Sequence, residues 1–194
     1  MSADFDHHIQ RLSLALKDVE PAPRAVLANN RNAAAVLVPL FQRLGEMHVV
    51  YIRRSDHVES HRGQVAFPGG RVDPKDRTLL DAALREAHEE VGIPPREVQV
   101  LGGFAAAQTT TTGIIVAPFV GVIPATLPLT PDPKEVAEIF DVPLSALRGP
   151  RYRGEYEWNQ NGALRRFPAI LYGSQTIWGL TLRITEHLLE VLRD

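Results

Sequence analysis

A chain of 194 residues suits one domain with mass enough to bury a core without disulfide staples. Hydrophobic residues at 44% and charged residues at 23% exclude a disordered or fibrous protein, and the absence of cysteine excludes disulfides and thiolate metal sites while fitting a reducing compartment. A net charge of −2 gives no global attraction for nucleic acid, so a polyanionic ligand must be met by a local set of cations. Met1 to His8 carries Asp4, Asp6, His7 and His8 where an export signal needs a basic start and an apolar run, and no apolar stretch reaches membrane-spanning length. A cytoplasmic protein is therefore expected, neither exported nor membrane-spanning, with one domain at 1–194: residues 1–32 as an amino-terminal helix and linker, and 33–194 as the core.

Phe5, Ile9, Leu12 and Leu16 fall at helical spacing and predict a short amphipathic helix, which Pro21 and Pro23 would stop. Ala33 to Leu40 and Met47 to Ile52 are short apolar runs rich in β-branched residues, joined by a polar turn around Gly45, and read as strands of one sheet. Phe67-Pro68-Gly69-Gly70 then breaks regular structure ahead of a helix from Leu79 to Val91, whose start lies either at Asp73-Pro74 or at Thr78 with Asp81 three residues on. Strand character returns at Val98 to Phe104 and at Ile114 to Ile123. Between them the run Gln108-Thr109-Thr110-Thr111-Thr112-Gly113 is a polar loop, either solvated or in contact with substrate. A short helix is predicted from Glu135 to Phe140. Asn161-Gly162, between Tyr156-Glu157-Trp158 and Leu164-Arg165-Arg166-Phe167, is a type I′ hairpin signal, because both turn residues tolerate positive φ. Leu180, Ile184, Leu188 and Leu192 fall at helical spacing and predict that the tail from Ile177 to Leu192 closes the domain as a helix.

The chemistry concentrates on the helix from Leu79 to Val91. Leu80, Ala83, Leu84, Ala87 and Val91 share one side of it, facing the core, and Glu86, Glu89 and Glu90 fall within an adjoining arc. Three converging carboxylates offer the hard oxygen donors that Mg²⁺ or Mn²⁺ prefers, with open positions left for phosphate oxygens and water. Zinc is disfavoured, since the histidines form no H-E-x-x-H pattern. A solvated acidic face, or an acidic face that meets another protein, is the alternative, because like charges at i,i+4 cost only about 0.2–0.5 kcal/mol on an exposed helix. Arg85 lies beside Glu86 and four residues before Glu89, placed to brace a carboxylate, and the paired glycines Gly69 and Gly70 permit close backbone approach to a metal or phosphate.

These residues resemble the Nudix box, G-x5-E-x7-R-E-U-x-E-E-x-G-U with U aliphatic. Arg85-Glu86-Ala87-His88-Glu89-Glu90-Val91-Gly92-Ile93 matches every specified position of its second half. In the first half, Asp76 stands where the glutamate would be when counted from Gly70, and eight residues instead of seven separate it from Arg85. His61-Arg62-Gly63-Gln64-Val65-Ala66-Phe67-Pro68-Gly69-Gly70 is similar to the element that precedes the box in the coenzyme A pyrophosphatase branch. So, in order, are Thr112-Gly113, Ala117-Pro118-Phe119-Val120-Gly121, Glu135-Val136, Val142-Pro143-Leu144 and Ile177-Trp178-Gly179-Leu180-Thr181. Arg54-Ser55 matches the branch signature, while Glu59 stands where that signature often has arginine.

The resemblance implies an α/β Nudix fold, an α/β/α sandwich with a mixed β-sheet, in which the box helix and its preceding loop line the active site. It implies hydrolysis of a nucleoside diphosphate linked to another group; for coenzyme A the products would be phosphopantetheine and adenosine 3′,5′-bisphosphate. Another nucleotide substrate (ADP-ribose, a dinucleotide or a nucleoside triphosphate) and a non-catalytic nucleotide-binding domain stand as the alternatives. Under the same resemblance Glu86, Glu89 and Glu90 hold Mg²⁺ or Mn²⁺ with the carbonyl of Gly69 or Gly70, and either Glu89 or Glu135 takes the proton of the attacking water. Arg53, Arg54, Arg62 and Arg71 are candidates for substrate phosphates, each with a plain surface arginine as the alternative. Trp178 and Phe119 either stack on a base or pack in the core. A homodimer is compatible with the family, and no residue demands one.

Overall fold

A computed structural model describes residues 2–19, 33–56, 61–109, 113–160 and 163–193. Helix α1 (Ala3–Leu16) begins where the Ser2 hydroxyl accepts from the Phe5 N–H at 3.3 Å, and it buries Phe5, Leu12 and Leu16. Strands β1 (Ala33–Arg43) and β2 (Glu46–Arg54) form a hairpin through Leu44 and Gly45, whose φ values of 51° and 84° suit a tight turn between Arg43 and Glu46. Six more strands complete an eight-stranded sheet: β3 (Val65–Ala66), β4 (Gly69–Arg71), β5 (Gln99–Gly103), β6 (Ala107–Gln108), β7 (Ile115–Val122) and β8 (Val136–Pro143). The central order is β3-β2-β1-β7-β5, with β4 on β1, β6 on β7 and β8 on β2. Since β1 and β7 run parallel and the other pairs antiparallel, the sheet is mixed.

Helix α2 (Leu79–Val91) covers one face of this sheet, burying Ala87 and Val91 with Leu37, Phe41, Val50 and Ile52, and Ala82 and Ala83 with Ala33, Ala35 and Phe119. The opposite face holds the larger core, where Val38, Leu40, Val49, Tyr51 and Val120 meet Leu12 and Leu16 of α1. Helix α3 (Leu144–Arg148), a three-stranded sheet of β9 (Arg153–Gln160), β10 (Ala163–Tyr172) and β11 (Gln175–Trp178), and helix α4 (Gly179–Val191) pack on that same core through Leu147, Ile170, Ile177 and Leu188. Helices on both faces of a mixed sheet make the expected α/β/α sandwich. Among the described residues no helix is long and apolar enough to cross a membrane.

Three expectations change. The segment after Glu135 is strand β8 and not a helix, because the backbone of β2 offers it a ladder from Arg54↔Val136 to His48↔Pro143. The closing helix starts only at Gly179, since Gln175–Trp178 pairs with β10. The buried side of α2 includes Leu79 and Ala82, while Leu80 and Leu84 are half-buried. The Gln160↔Ala163 register leaves two residues between β9 and β10. The Asn161-Gly162 turn itself, Pro21 and Pro23, Glu59, and Thr110 to Thr112 lie outside the described residues.

What positions the site is a division of labour along β1. Its carboxy-terminal half pairs with β2 at Leu40 to Arg43, and its amino-terminal half pairs with β4 at Ala34 to Val36. Between these stretches the Leu37 N–H donates to the Pro68 carbonyl at 2.8 Å, so the Phe67-Pro68 segment crosses from β3 to β4 at that point. The crossing brings Gly69 and Gly70 under α2.

Candidate active site

The box helix is held at both ends by its own sequence. Thr78 is the start that forms: its hydroxyl accepts from the Asp81 N–H at 3.0 Å, and Gly92 ends the helix with a left-handed φ of 73°. Burying the alanine face against β1 turns Glu86 and Glu90 toward the paired glycines. A Cβ on Gly69, whose φ is 152°, would overlap the Ala35 carbonyl and Val36, and a Cβ on Gly70 would fall on the Glu86 carboxylate. Gly69 must be glycine for β4 to lie against β1, whereas Gly70 leaves open the space that the Glu86 carboxylate occupies.

Glu90 is 1% exposed. One of its oxygens accepts from the Gly69 N–H at 2.8 Å; the other, Oε1, has no hydrogen-bond partner among the described residues and stands 3.5 Å from Arg54 Nη1. Burial pushes the Glu90 carboxyl up to about 8, against the pull of the Gly69 amide and of Arg54, and the negative Glu86 and Glu135 add to the rise. Glu86 is also raised, by burial first, although its neighbour Arg85 opposes the shift.

Oxygens of Glu86, Glu90 and Glu135 all lie within 4.8 Å of one another. Glu135 reaches this cluster from the end of β8. The Asp132 N–H donates to the Glu90 carbonyl at 2.9 Å and the Ser55 N–H to the Glu135 carbonyl at 2.8 Å, which ties the segment to the end of α2 and to β2. Three carboxylate oxygens this close repel one another, and one belongs to a buried side chain with an unpartnered atom. Such a donor set fits a hard divalent cation.

Arg85 organises the outer side. Its Nε and Nη2 donate to the two oxygens of Asp76, each at 2.9 Å, and Nη2 also donates to the Arg71 carbonyl at 3.1 Å. Nη1 donates to Glu86 at 2.7 Å and to Glu89 at 2.9 Å. Asp76, in turn, accepts from the Asp73 N–H at 2.7 Å, and its carboxyl is lowered, first by the Arg85 hydrogen bond. The lengthened box loop therefore delivers an aspartate where the motif has glutamate, and the fork-to-fork contact with Arg85 forms. Its sequence signal was Asp76's count from Gly70. Nothing in the sequence disclosed the Gly69 amide on Glu90, which depends on how the crossing loop meets the helix.

The remaining candidates divide. Glu89, 58% exposed, stays on the rim with Arg85 and is not part of the Glu86, Glu90 and Glu135 cluster. Arg62 is exposed ahead of β3 and Arg71 at the end of β4, while Arg53 projects from β2 beside Glu138 at 3.4 Å. Phe119 is core. Trp178 joins Tyr156, Trp158 and Phe167 in a half-buried ring cluster on the outer sheet, with centroids 4.4 to 5.8 Å from its own.

The NUDIX domain matches residues 31–162. Over 162 residues, 83% of this chain and 79% of the relative, the sequence is 44% identical to proteins named uncharacterized Nudix hydrolase NudL from Yersinia pestis (strain Pestoides F) and from Yersinia pseudotuberculosis serotype O:1b (strain IP 31758). Among solved structures it is similar to a Nudix hydrolase from M. smegmatis, RenU, at 24% identity and a TM-score of 0.49, covering 61% of this chain and 74% of that one. With the box residues gathered at one end of the sheet, and with a domain match over most of the chain beside relatives 44% identical, this protein belongs to the Nudix hydrolase family.

Proposed function

We propose that this Nudix hydrolase cleaves the diphosphate linkage of coenzyme A or its derivatives, giving phosphopantetheine and adenosine 3′,5′-bisphosphate. The observation that carries the hydrolytic reading is the convergence of Glu86, Glu90 and Glu135 within 4.8 Å beside the braced Arg85. Support for the coenzyme A branch comes from Arg54-Ser55, from His61 to Gly70 and from the ordered segments that follow the box.

Glu86 and Glu90 would hold Mg²⁺ or Mn²⁺, with the Gly70 backbone alongside Glu86. When bound, the ion supplies charge neutralisation for the diphosphate and acidifies a coordinated water. Arg85 keeps Glu86 aimed at the cluster while Asp76 keeps Arg85 from swinging into solvent. Glu135 is the residue to take the proton of the attacking water: it is exposed, it sits within the cluster, and among the described residues its carboxylate forms no ion pair. Glu89, already engaged by Arg85, serves as the outer brace. Arg62 and Arg71, exposed on either side of β3 and β4, meet the substrate's phosphates.

The test is a panel of coenzyme A, ADP-ribose, NADH, a diadenosine polyphosphate and nucleoside triphosphates with Mg²⁺, with Mn²⁺ or with chelator, products being identified by mass spectrometry. Metal-dependent release of phosphopantetheine, fastest with coenzyme A, is expected. Faster turnover of another nucleotide would overturn the substrate and leave the chemistry standing, and no turnover with any metal would overturn both.

A further inference from the structure

Arg54 is placed by the fold in a position that a phosphate-binding arginine does not require. It follows Val50 and Ile52 on the α2 side of β2, at the register shift where Arg53 faces Glu138 and Arg54 faces Val136. Its guanidinium points at the Glu90 oxygen that lacks a hydrogen bond, 3.5 Å away. The contact is an attraction without a closed hydrogen bond: Arg54 Nε and Glu90 Oε1 are both buried without a partner among the described residues. A guanidinium stays charged at every working pH, so Glu90 is accompanied by a fixed cation on its inner side. The opposite flank of the same strand differs, since Arg53 faces away toward Glu138, which also accepts from Gln175 at 2.9 Å.

We infer that Arg54 is a built-in counter-cation: it pairs with the Glu90 carboxylate whenever that group is ionised, competes with the incoming divalent ion for it, and is released to the substrate's diphosphate once the ion is seated. This rests on the hydrolase reading above, in which Glu90 holds the metal. The physical reason is that two cations on one desolvated oxygen repel, whereas either alone relieves the buried charge. A long, unclosed ion pair is the form of contact that can be exchanged at low cost. The arrangement holds metal affinity low until an anionic substrate arrives to take the guanidinium, which makes ion and substrate bind more tightly together than apart.

The test uses Mg²⁺ alone, titrated calorimetrically into the full chain at pH 9, with KM for the best diphosphate substrate measured alongside. Arg54→Gln is expected to bind Mg²⁺ at least tenfold more tightly than the wild type while its KM rises at least tenfold. Such opposite shifts would not follow from simple damage to the site. Arg54→Lys, which keeps the charge, should stay within about threefold of the wild type in Mg²⁺ affinity, and Arg53→Gln should leave that affinity unchanged. Unchanged or weaker Mg²⁺ binding by a folded Arg54→Gln would overturn the counter-cation role alone. Failure of both the wild type and Arg54→Gln to bind Mg²⁺ would overturn the metal site and this inference together. Should Arg54→Gln not fold, Arg54→Met, which keeps the apolar stem, replaces it with the same expected tightening.

Discussion

Replacing Glu90 by glutamine should make the metal-free protein more stable in alkali. Burial raises the Glu90 carboxyl from the ordinary 4.5 to about 8. The folded chain therefore keeps a proton that the unfolded chain has released. Because the folded-state value is the higher one, the stabilisation is complete below pH 4.5, falls away as pH rises, and is gone above about pH 8. At about 1.4 kcal/mol per pH unit, the interval from 4.5 to about 8 corresponds to a loss of about 5 kcal/mol at most. Glutamine is never charged and can still accept from the Gly69 N–H, so Glu90→Gln escapes that loss, less whatever Arg54 forfeits as its counter-charge disappears. Urea denaturation in chelator, followed by the fluorescence of Trp158 and Trp178 from pH 5 to pH 9, should show wild type and variant close together in acid. They should separate in favour of the variant by about 2–4 kcal/mol at pH 8.5. A residual slope from Glu86, raised in the same sense, remains in both. Added Mg²⁺ or Mn²⁺ should restore the wild type and leave the variant unmoved. Parallel pH profiles, or a wild type more stable than the variant in chelator at pH 8.5, would refute the claim that Glu90 is held as a strained buried charge.

Three further outcomes follow from the same geometry. Asp76→Asn removes the carboxylate that holds Arg85 by two hydrogen bonds, and is expected to cost about 1–2 kcal/mol at neutral pH and to lower kcat tenfold or more with little change in KM. Because the Asp76 carboxyl is lowered in the fold, its contribution is present above 3.8 and lost as pH falls through its depressed value, so wild type and variant should converge in strong acid. Gly70→Ala should leave a folded protein whose melting temperature moves by only a few degrees while metal-dependent turnover falls about a hundredfold, since the new methyl group displaces the Glu86 carboxylate and not the strand. Glu135→Gln should cost about 10²-fold or more in kcat and Glu89→Gln about tenfold or less, read in a saturating-metal assay; the reverse order would return the proton to Glu89.

Much of this molecule was legible in residue order, and the parts that were not share a cause. The box helix could be read because Ala83, Ala87 and Val91 repeat at helical spacing, and its acidic run because Glu86, Glu89 and Glu90 are neighbours in sequence. The hairpin partners β1 and β2 were visible as β-branched runs flanking Gly45. β8 was misread as a helix because Glu135 to Phe140 has no decisive period of its own; pairing with β2, a partner more than 80 residues earlier, made it a strand.

Sequence by itself therefore determined the family, the carboxylate helix and the glycine pair, since each is a matter of residue type at fixed spacing along one element. Tertiary structure alone decided which carboxylates share a site. Helical projection groups Glu86, Glu89 and Glu90, whereas packing of α2 on β1 buries Glu90, leaves Glu89 at the rim, and brings in Glu135 through the Asp132 and Ser55 hydrogen bonds. Proximity across elements is set by burial of apolar faces and by backbone pairing, which no local spacing encodes.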